Sequence, residues 1–480
     1  MLRHHDTRAY CCGVVGTAED STACPHIVLC PGQTHIEPLA PHPSTKADLL
    51  HDVSKLAGRM ADGPTQPFPI RLQRHRSRGR ELLASEDIAA GAVVIRNLPL
   101  ALAPADSELS SCCAACLSSV GGSSAKPCTG RCGYVLCASC AADGQWAATH
   151  ELGECVSLRH LWTLLGRDRP SPPTGKRTRL DSTALPVDGD SAALRVLLRL
   201  AYTRVAERRP QSQTAGECPH GEALSDDCGA ADELVSHFEA LSEAQQGHAY
   251  NMAETARWCL TGDARQSREA LAHQAAMLWC NSFDVVDAET GASLGEGLWP
   301  SLALGLNHSC EPNCDFHWEA DNAGAMCVRA LRDIAAGEVL SIAYLNLFSA
   351  KRREHLRSTY FFTCRCRRCT AREAAPHVPP LAKAAAEAIA LAGDPASWVR
   401  VAEAAVSLEA AVMPLVEAGA DWAQLTLARA RWLRLRAAEH GATGFGPLPN
   451  GDALRLELTR LLGERHPWTR RVDACNKRAS

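Results

Sequence analysis

Eight side chains of the kind that ligate zinc crowd into the 43 residues from Cys113 to Cys155, and this run restricts the folding of the chain more than any other feature. The spacing is Cys113-x2-Cys116-x11-Cys128-x3-Cys132-x4-Cys137-x2-Cys140-x9-His150-x4-Cys155. Zn²⁺ takes thiolate and imidazole ligands tetrahedrally, so eight ligands make two sites, and closely spaced pairs lose little loop entropy on binding. Consecutive pairs can each share a metal, or alternate pairs can interleave, and Cys112 could replace Cys113. Structural zinc of this kind carries about 10–16 kcal/mol per site in finger peptides, so this short segment is expected to fold with hardly any core of its own. Three more cysteines stand close together at Cys364, Cys366 and Cys369. Such clusters in a chain where no signal peptide is expected imply a reducing compartment, cytoplasmic and nuclear.

Charge excludes other classes. The balance of 50 Lys+Arg against 54 Asp+Glu leaves −4, so no global field draws nucleic acid or anionic membrane. No run approaches the ~18 apolar residues of a membrane span. The basic run Arg71, Arg74, Arg76, Arg78 and Arg80 reads as a solvated face, so no nucleic-acid partner is expected.

Residues 1–66 lack sustained periodicity and read as a disordered extension. Val93–Ile95 and Leu98–Leu102 read as paired strands after a turn at Gly91. Helical periodicity follows near 191–207 and 231–245, with breaker-rich tracts at Arg167–Asp190 and Arg208–Gly229. A helix at about 264–280 leads to strands at Val285–Val286, Ala325–Ala330 and Val339–Tyr344. Ser349–Tyr360 reads as a helix capped by Ser349, and 380–470 as about four more helices.

Residues 307–314 read Asn-His-Ser-Cys-Glu-Pro-Asn-Cys, followed by Gly337-Glu338-Val339-Leu340-Ser341-Ile342-Ala343-Tyr344 and then by Tyr360 to Cys369 (YFFTCRCRRC). Together they resemble a SET domain with its post-SET zinc segment. Gly79-Arg80-Glu81-Leu82 resembles that family's first strand pair, and Cys280-Asn281-Ser282-Phe283 its middle strand. The Cys113–Cys155 run resembles a MYND finger, and the whole resembles the SET-and-MYND (SMYD-type) lysine methyltransferases.

The resemblance implies an α+β fold, a SET-domain β-fold split by a zinc-binding MYND finger, with a post-SET zinc segment and an α-helical C-terminal domain. It divides the chain into an extension (1–66), the first SET part (67–111), the finger (112–156), a helical insert (157–263), the second SET part (264–346), post-SET (347–372) and the C-terminal domain (373–480). It implies S-adenosyl-L-methionine and three Zn²⁺. One zinc falls to Cys113, Cys116, Cys137 and Cys140, a second to Cys128, Cys132, His150 and Cys155, and a third to Cys310, Cys364, Cys366 and Cys369, with Cys314 left as a packed thiol. Tyr344 is the implied catalytic residue, which orients the lysine amine. Gly79, Arg80, Asn281, Asn307, His308, Tyr344 and Phe362 are the implied cofactor contacts, and Tyr360 the wall of the substrate channel. Glu81, where the family has a second glycine, is expected to crowd the cofactor. Implied partners are a protein carrying the target lysine and a proline-containing peptide on the finger, with the protein a monomer. The alternative is a catalytically silent adaptor.

Overall fold

The computed structural model describes residues 68–76, 79–121, 124–143, 145–166, 191–208, 228–288, 291–349, 351–370, 397–464 and 466–472. The N-terminal extension, nearly all of the two breaker-rich tracts and residues 373–396 lie outside the described residues. The strands are β1 (Ile70–His75), β2 (Gly79–Ala84), β3 (Val93–Asn97), β4 (Ala101–Pro104), β5 (Lys126–Pro127), β6 (Val135–Leu136), β7 (Phe283–Val286), β8 (Ser293–Leu298), β9 (Asn307–His308), β10 (Cys314–Glu319), β11 (Ala325–Ala330) and β12 (Ser341–Ile342). Helices longer than two turns are α1 (Cys155–Leu164), α2 (Ala192–Arg208), α3 (Glu243–Cys259), α4 (Arg268–Asn281), α5 (Arg352–Thr359), α6 (Trp398–Glu417), α7 (Gln424–Glu439) and α8 (Gly451–Leu462). Among the described residues no helix is long and apolar enough to cross a membrane.

Small sheets, not one large one, make the β-core: β1-β2, β10-β11-β3, β4-β8-β7, the parallel pair β12-β9, and β5-β6 in the cysteine-rich segment. β3 and β4 do not pair with each other, contrary to the sequence reading. Residues 98–100 contain Pro99 and no glycine, so they cannot form the tight positive-φ turn of a hairpin. The chain crosses instead to a second sheet, where Leu100 N–H donates to Leu298 O at 2.9 Å. Gly91 does supply the turn before β3, at φ 82°. A Cβ there would also meet the Arg460 carbonyl oxygen at 2.1 Å, so glycine admits α8 onto the β-core.

Other boundaries move for local reasons. The helix read at 231–245 is absent: Cys228–Asp232 is a short helix, His237 is left-handed (φ 51°), and α3 starts after a Ser242–Gln245 capping box. Cys280 and Asn281 belong to helix α4 and not to a strand, because Ser282 closes the helix by donating its backbone N–H and its hydroxyl to Leu278 O. Of Val339–Tyr344 only Ser341–Ile342 is a strand. Helix α5 starts at Arg352 with Lys351, not Ser349, at its cap position, since the Ser349 hydroxyl accepts from Lys351 N–H in the preceding turn.

Two cores lie side by side. Ile70, Leu82, Ile95, Leu102, Trp299 and Ile342 fill the space between the sheets. Cys113, Cys132 and Tyr134 of the cysteine-rich segment share a second core with Leu158, Leu197 and Tyr202 of α1 and α2. That segment therefore does have a core, which it borrows from the helices beside it. Helices α6, α7 and α8 bury Leu331 and the stacked pair Trp432–Trp468 (5.1 Å) in a third.

Asp315 on β10 is a strained position, its carboxyl pushed up to about 7 by burial. Because the folded value lies above the unfolded one, ionisation costs stability that accumulates as pH rises from about 4 to about 7 and then levels off. Asp315→Asn is therefore expected to raise stability to urea at about pH 8 and to change it little at about pH 4.

Candidate active site and metal centres

The structure gathers twelve of the sequence-predicted ligands into three clusters, with the donor atoms of each within 4.8 Å of one another: Cys113, Cys116, Cys137 and Cys140; Cys128, Cys132, His150 and Cys155; Cys310, Cys364, Cys366 and Cys369. Donor separations are 3.9 Å for Cys116–Cys137, 3.3 Å for Cys128–His150, 3.7 Å for Cys128–Cys155 and 3.5 Å for Cys310–Cys369. Ligands bound to one zinc at about 2.0–2.3 Å stand apart by about this much, so both the donor sets and their spacing suit the ion. Cys112 takes no part: it bridges to Ser119, and burial beside Glu108 pushes its thiol up to about 12. Cys314 is likewise excluded, packed in the β-core with its thiol pushed up to about 12.

The imidazole ligand is held from behind. His150 Nε2 faces Cys128 and Cys132, while its Nδ1 lies 2.8 Å from Glu154 Oε2. Glu154 Oε1 accepts from Arg199 Nε at 2.8 Å, and Arg199 also donates to the carbonyls of Leu102 and Ala114. Trp146 stacks on the imidazole at 3.8 Å. A carboxylate behind a histidine fixes the tautomer and raises its basicity toward a metal. The sequence reading missed Glu154 and Arg199, although Glu154 lies only four residues from the ligand.

A fourth group, His317, Glu319 and Cys327, also has donors close together. Its carboxylate is already held by Arg96 at 2.8 Å and by Asn322 at 3.0 Å, which makes it an ion-paired polar cluster.

The cleft forms where chain segments far apart in sequence meet. Asn307 Nδ2 donates to Arg80 O at 2.8 Å, tying β9 to β2. Val339 bridges to Leu83, and Leu340 N–H donates to Leu82 O, so the strand leading to Tyr344 runs between β2 and β9. Asn313, overlooked as a functional residue, fastens that strand: it donates to Val339 O at 2.9 Å and accepts from Ser341 N–H at 2.8 Å. Its signal was its place in the Asn307–Cys314 motif.

Tyr344 thus ends on a braced segment. Its hydroxyl donates to Leu306 O at 2.6 Å, and burial pushes the phenol well above its ordinary value. Tyr344 N–H donates to His308 Nδ1 at 3.0 Å, and burial lowers His308 to about 4, so the imidazole is neutral and can accept. The Tyr360 ring centroid lies 5.0 Å from that of Tyr344, and Phe362 lies edge-on to Tyr344 at 6.4 Å. Tyr344, Tyr360, Asn281, Phe283, Leu306 and Phe316 line a cavity of about 170 Å³.

Gly79 is exposed at φ 74° with nothing within 4 Å of a would-be Cβ. Glu81 is wholly buried, and its Oε1 accepts from its cross-strand partner Gln73 at 2.7 Å, so the carboxylate is held against its own hairpin. A segment that the sequence reading took only as helix also reaches this end of the cleft. Glu233 pairs with Arg80 at 2.6 Å, Asn281 donates to Val235 O at 2.9 Å, and the His237 ring lies 5.2 Å from Phe361.

Comparison with known proteins accords with this geometry. The family model described as SET domain matches residues 79–345. Histone-lysine N-methyltransferase SMYD3 of Homo sapiens is 39% identical over 132 residues, 27% of each chain. N-lysine methyltransferase SMYD2-B of Danio rerio is 42% identical over 93 residues, 19% of this chain and 20% of its own. Histone-lysine N-methyltransferase Smyd1 of Mus musculus is 29% identical over 163 residues, 31% of this chain and 33% of its own. The matched segments thus span between a fifth and a third of these relatives' lengths.

Proposed function

The chain belongs to the SET domain family, of the SMYD type, and from that premise we propose that it is a protein-lysine N-methyltransferase using S-adenosyl-L-methionine. One observation carries the reading: Tyr344 and Tyr360 wall a single aromatic-lined cavity, and the Tyr344 backbone is tied to His308, next to Asn307, which fastens to Arg80. S-adenosylmethionine supplies an electrophilic methyl group on a sulfonium centre. The chain's part is to align an amine with it and keep water out.

The residues present fit that cofactor. Asn307 spends its amide N–H on Arg80 O, and its Oδ1 has no partner among the described residues, so it can accept from an ammonium. The open Gly79 and the neutral His308 lie beside it, with Phe362 as a ring wall; Arg80 and Asn281 complete the proposed contacts. Tyr360 and Phe283 wall the channel for a lysine side chain, and Tyr344 orients its nitrogen. A free lysine with pKa about 10.4 is only about one part in a thousand neutral at physiological pH, a deficit of about 4 kcal/mol. Desolvation in this cavity shifts the amine toward the neutral, nucleophilic form.

The Cys310–Cys369 cluster, holding zinc, would tie the Asn307–Cys310 loop to the segment that carries Phe362. The other two clusters, read as a MYND finger, are proposed to bind zinc and a proline-containing peptide. The free cysteines among the described residues suit a reducing compartment, nucleus or cytoplasm.

Calorimetric titration of the zinc-loaded protein with S-adenosylmethionine tests the proposal without knowledge of the substrate. Micromolar binding that weakens at least about tenfold in Asn307→Ala is expected, the loss of one charged hydrogen bond. No binding by folded, zinc-replete protein would favour the silent adaptor.

A further inference from the structure

Helix α5 and the cysteine segment after it carry a concentration of positive charge that neither fold nor metal accounts for in full. Residues 351–370 hold seven lysines and arginines and a single acid, Glu354, in a chain of net charge −4. Lys351, Arg353, Arg357, Arg365 and Arg367 are exposed, and none has an ion-pair partner among the described residues. The third metal cluster explains part of this. Four thiolates on one Zn²⁺ leave a net charge of about −2, which Arg365, Arg367 and Arg368 offset from between the ligands.

Arg353 and Arg357 have no such duty. They are neighbours one turn apart on α5, outside the run of ligands. That helix ends at the channel. Thr359, its last residue, contacts the cavity-lining Cys280 through its carbonyl (3.7 Å), and the next residue is Tyr360, itself in the cavity wall. A polypeptide that delivers a lysine past Tyr360 must therefore lie within reach of these cations. At physiological salt their field extends about 8 Å from the surface, enough to act on residues flanking the lysine.

We propose that this basic collar selects the substrate: the favoured lysine is flanked by aspartate and glutamate, and a lysine within a run of other lysines and arginines is disfavoured. The inference rests on the methyltransferase reading above and deepens it. A protein segment is the better occupant than a nucleic acid, because the cations lie on one short helix that ends at a lysine-sized cavity, in a chain that is acidic as a whole.

The test uses the full, zinc-loaded chain and three fluorescent peptides with one central lysine, flanked by glutamates, glutamines or arginines. Anisotropy at low salt is expected to show the glutamate peptide binding about tenfold tighter than the glutamine peptide, with the arginine peptide weakest, given the modest worth of each exposed charge pair. The preference should shrink at high salt and vanish in Arg353→Glu/Arg357→Glu, with zinc content and S-adenosylmethionine binding unchanged. Equal binding of the three peptides, a preference for arginine, or a glutamate preference untouched by the double variant overturns the proposal. So does tight binding of double-stranded DNA through the same two arginines. Methyl transfer to the same peptides is a separate readout. Selective binding without any transfer leaves the collar standing and sinks the enzymatic reading instead.

Discussion

Replacing Tyr344 by phenylalanine is expected to reduce methyl transfer by about 100-fold or more while S-adenosylmethionine still binds, because a misplaced amine loses that much even when everything else is intact. The hydroxyl contributes one hydrogen bond, to Leu306 O at 2.6 Å, and its loss costs the fold only about 0.5–1.5 kcal/mol. The ring contacts with Tyr360 and Phe362 survive in phenylalanine. What disappears is an oxygen held un-ionised on the residue lining the cavity, which under the proposed reading would orient the amine and meet a polarised methyl group through weak C–H···O contacts. Single-turnover transfer and cofactor titration on the same preparation separate the two effects. Unchanged turnover would refute the role given to Tyr344, and lost cofactor binding would recast it as a structural residue.

The second large effect lies behind a metal ligand. Metal analysis of the wild-type protein is expected to return three zinc ions per chain, one for each cluster of four ligands. Glu154→Leu should lower the affinity of the His150 site by about 10- to 100-fold, because the imidazole loses the carboxylate that orients it. It should also destabilise the fold by about 3–5 kcal/mol, since the buried Arg199 is left without its counter-charge. Glu154→Gln keeps one acceptor oxygen, enough for His150 or Arg199 but not both, and should recover only part of the zinc affinity. Urea unfolding and competition with a chromogenic chelator read the two quantities separately. Equal zinc affinity in all three proteins would show that Glu154 braces only the arginine.

The clustering of most candidate metal ligands was legible in the sequence because their chemistry is local: thiolates and an imidazole a few residues apart have few other uses. Cys310 was harder, since it joins Cys364, Cys366 and Cys369 from more than fifty residues away, and only the family resemblance supplied it. Elements decided by tertiary partners were misread. The pairing of β3 with β4 failed at Pro99, and β12 is short because side chains and a neighbouring strand, not its own propensity, hold residues 338–344 in place. Glu233, Val235 and His237 left no trace at all. They reach Arg80, Asn281 and Phe361 from a stretch whose composition suggested only helix, and nothing in their spacing announces the contact.

The tie between Asn307 and Arg80 spans 227 residues of chain, and the two cysteine clusters between Cys113 and Cys155 and the helices through α4 lie inside that span. During synthesis the first strand pair must therefore wait, with one edge unmatched, until the segment ending at Tyr344 has left the ribosome. Closure entropy rises with the length of free chain between two points, so a loop that has already condensed around its own metal ions is far easier to close than a loose one. If the two clusters inside that loop hold zinc, metal supply during translation would set how readily the cleft closes, through ligands that stand apart from the Tyr344 cavity.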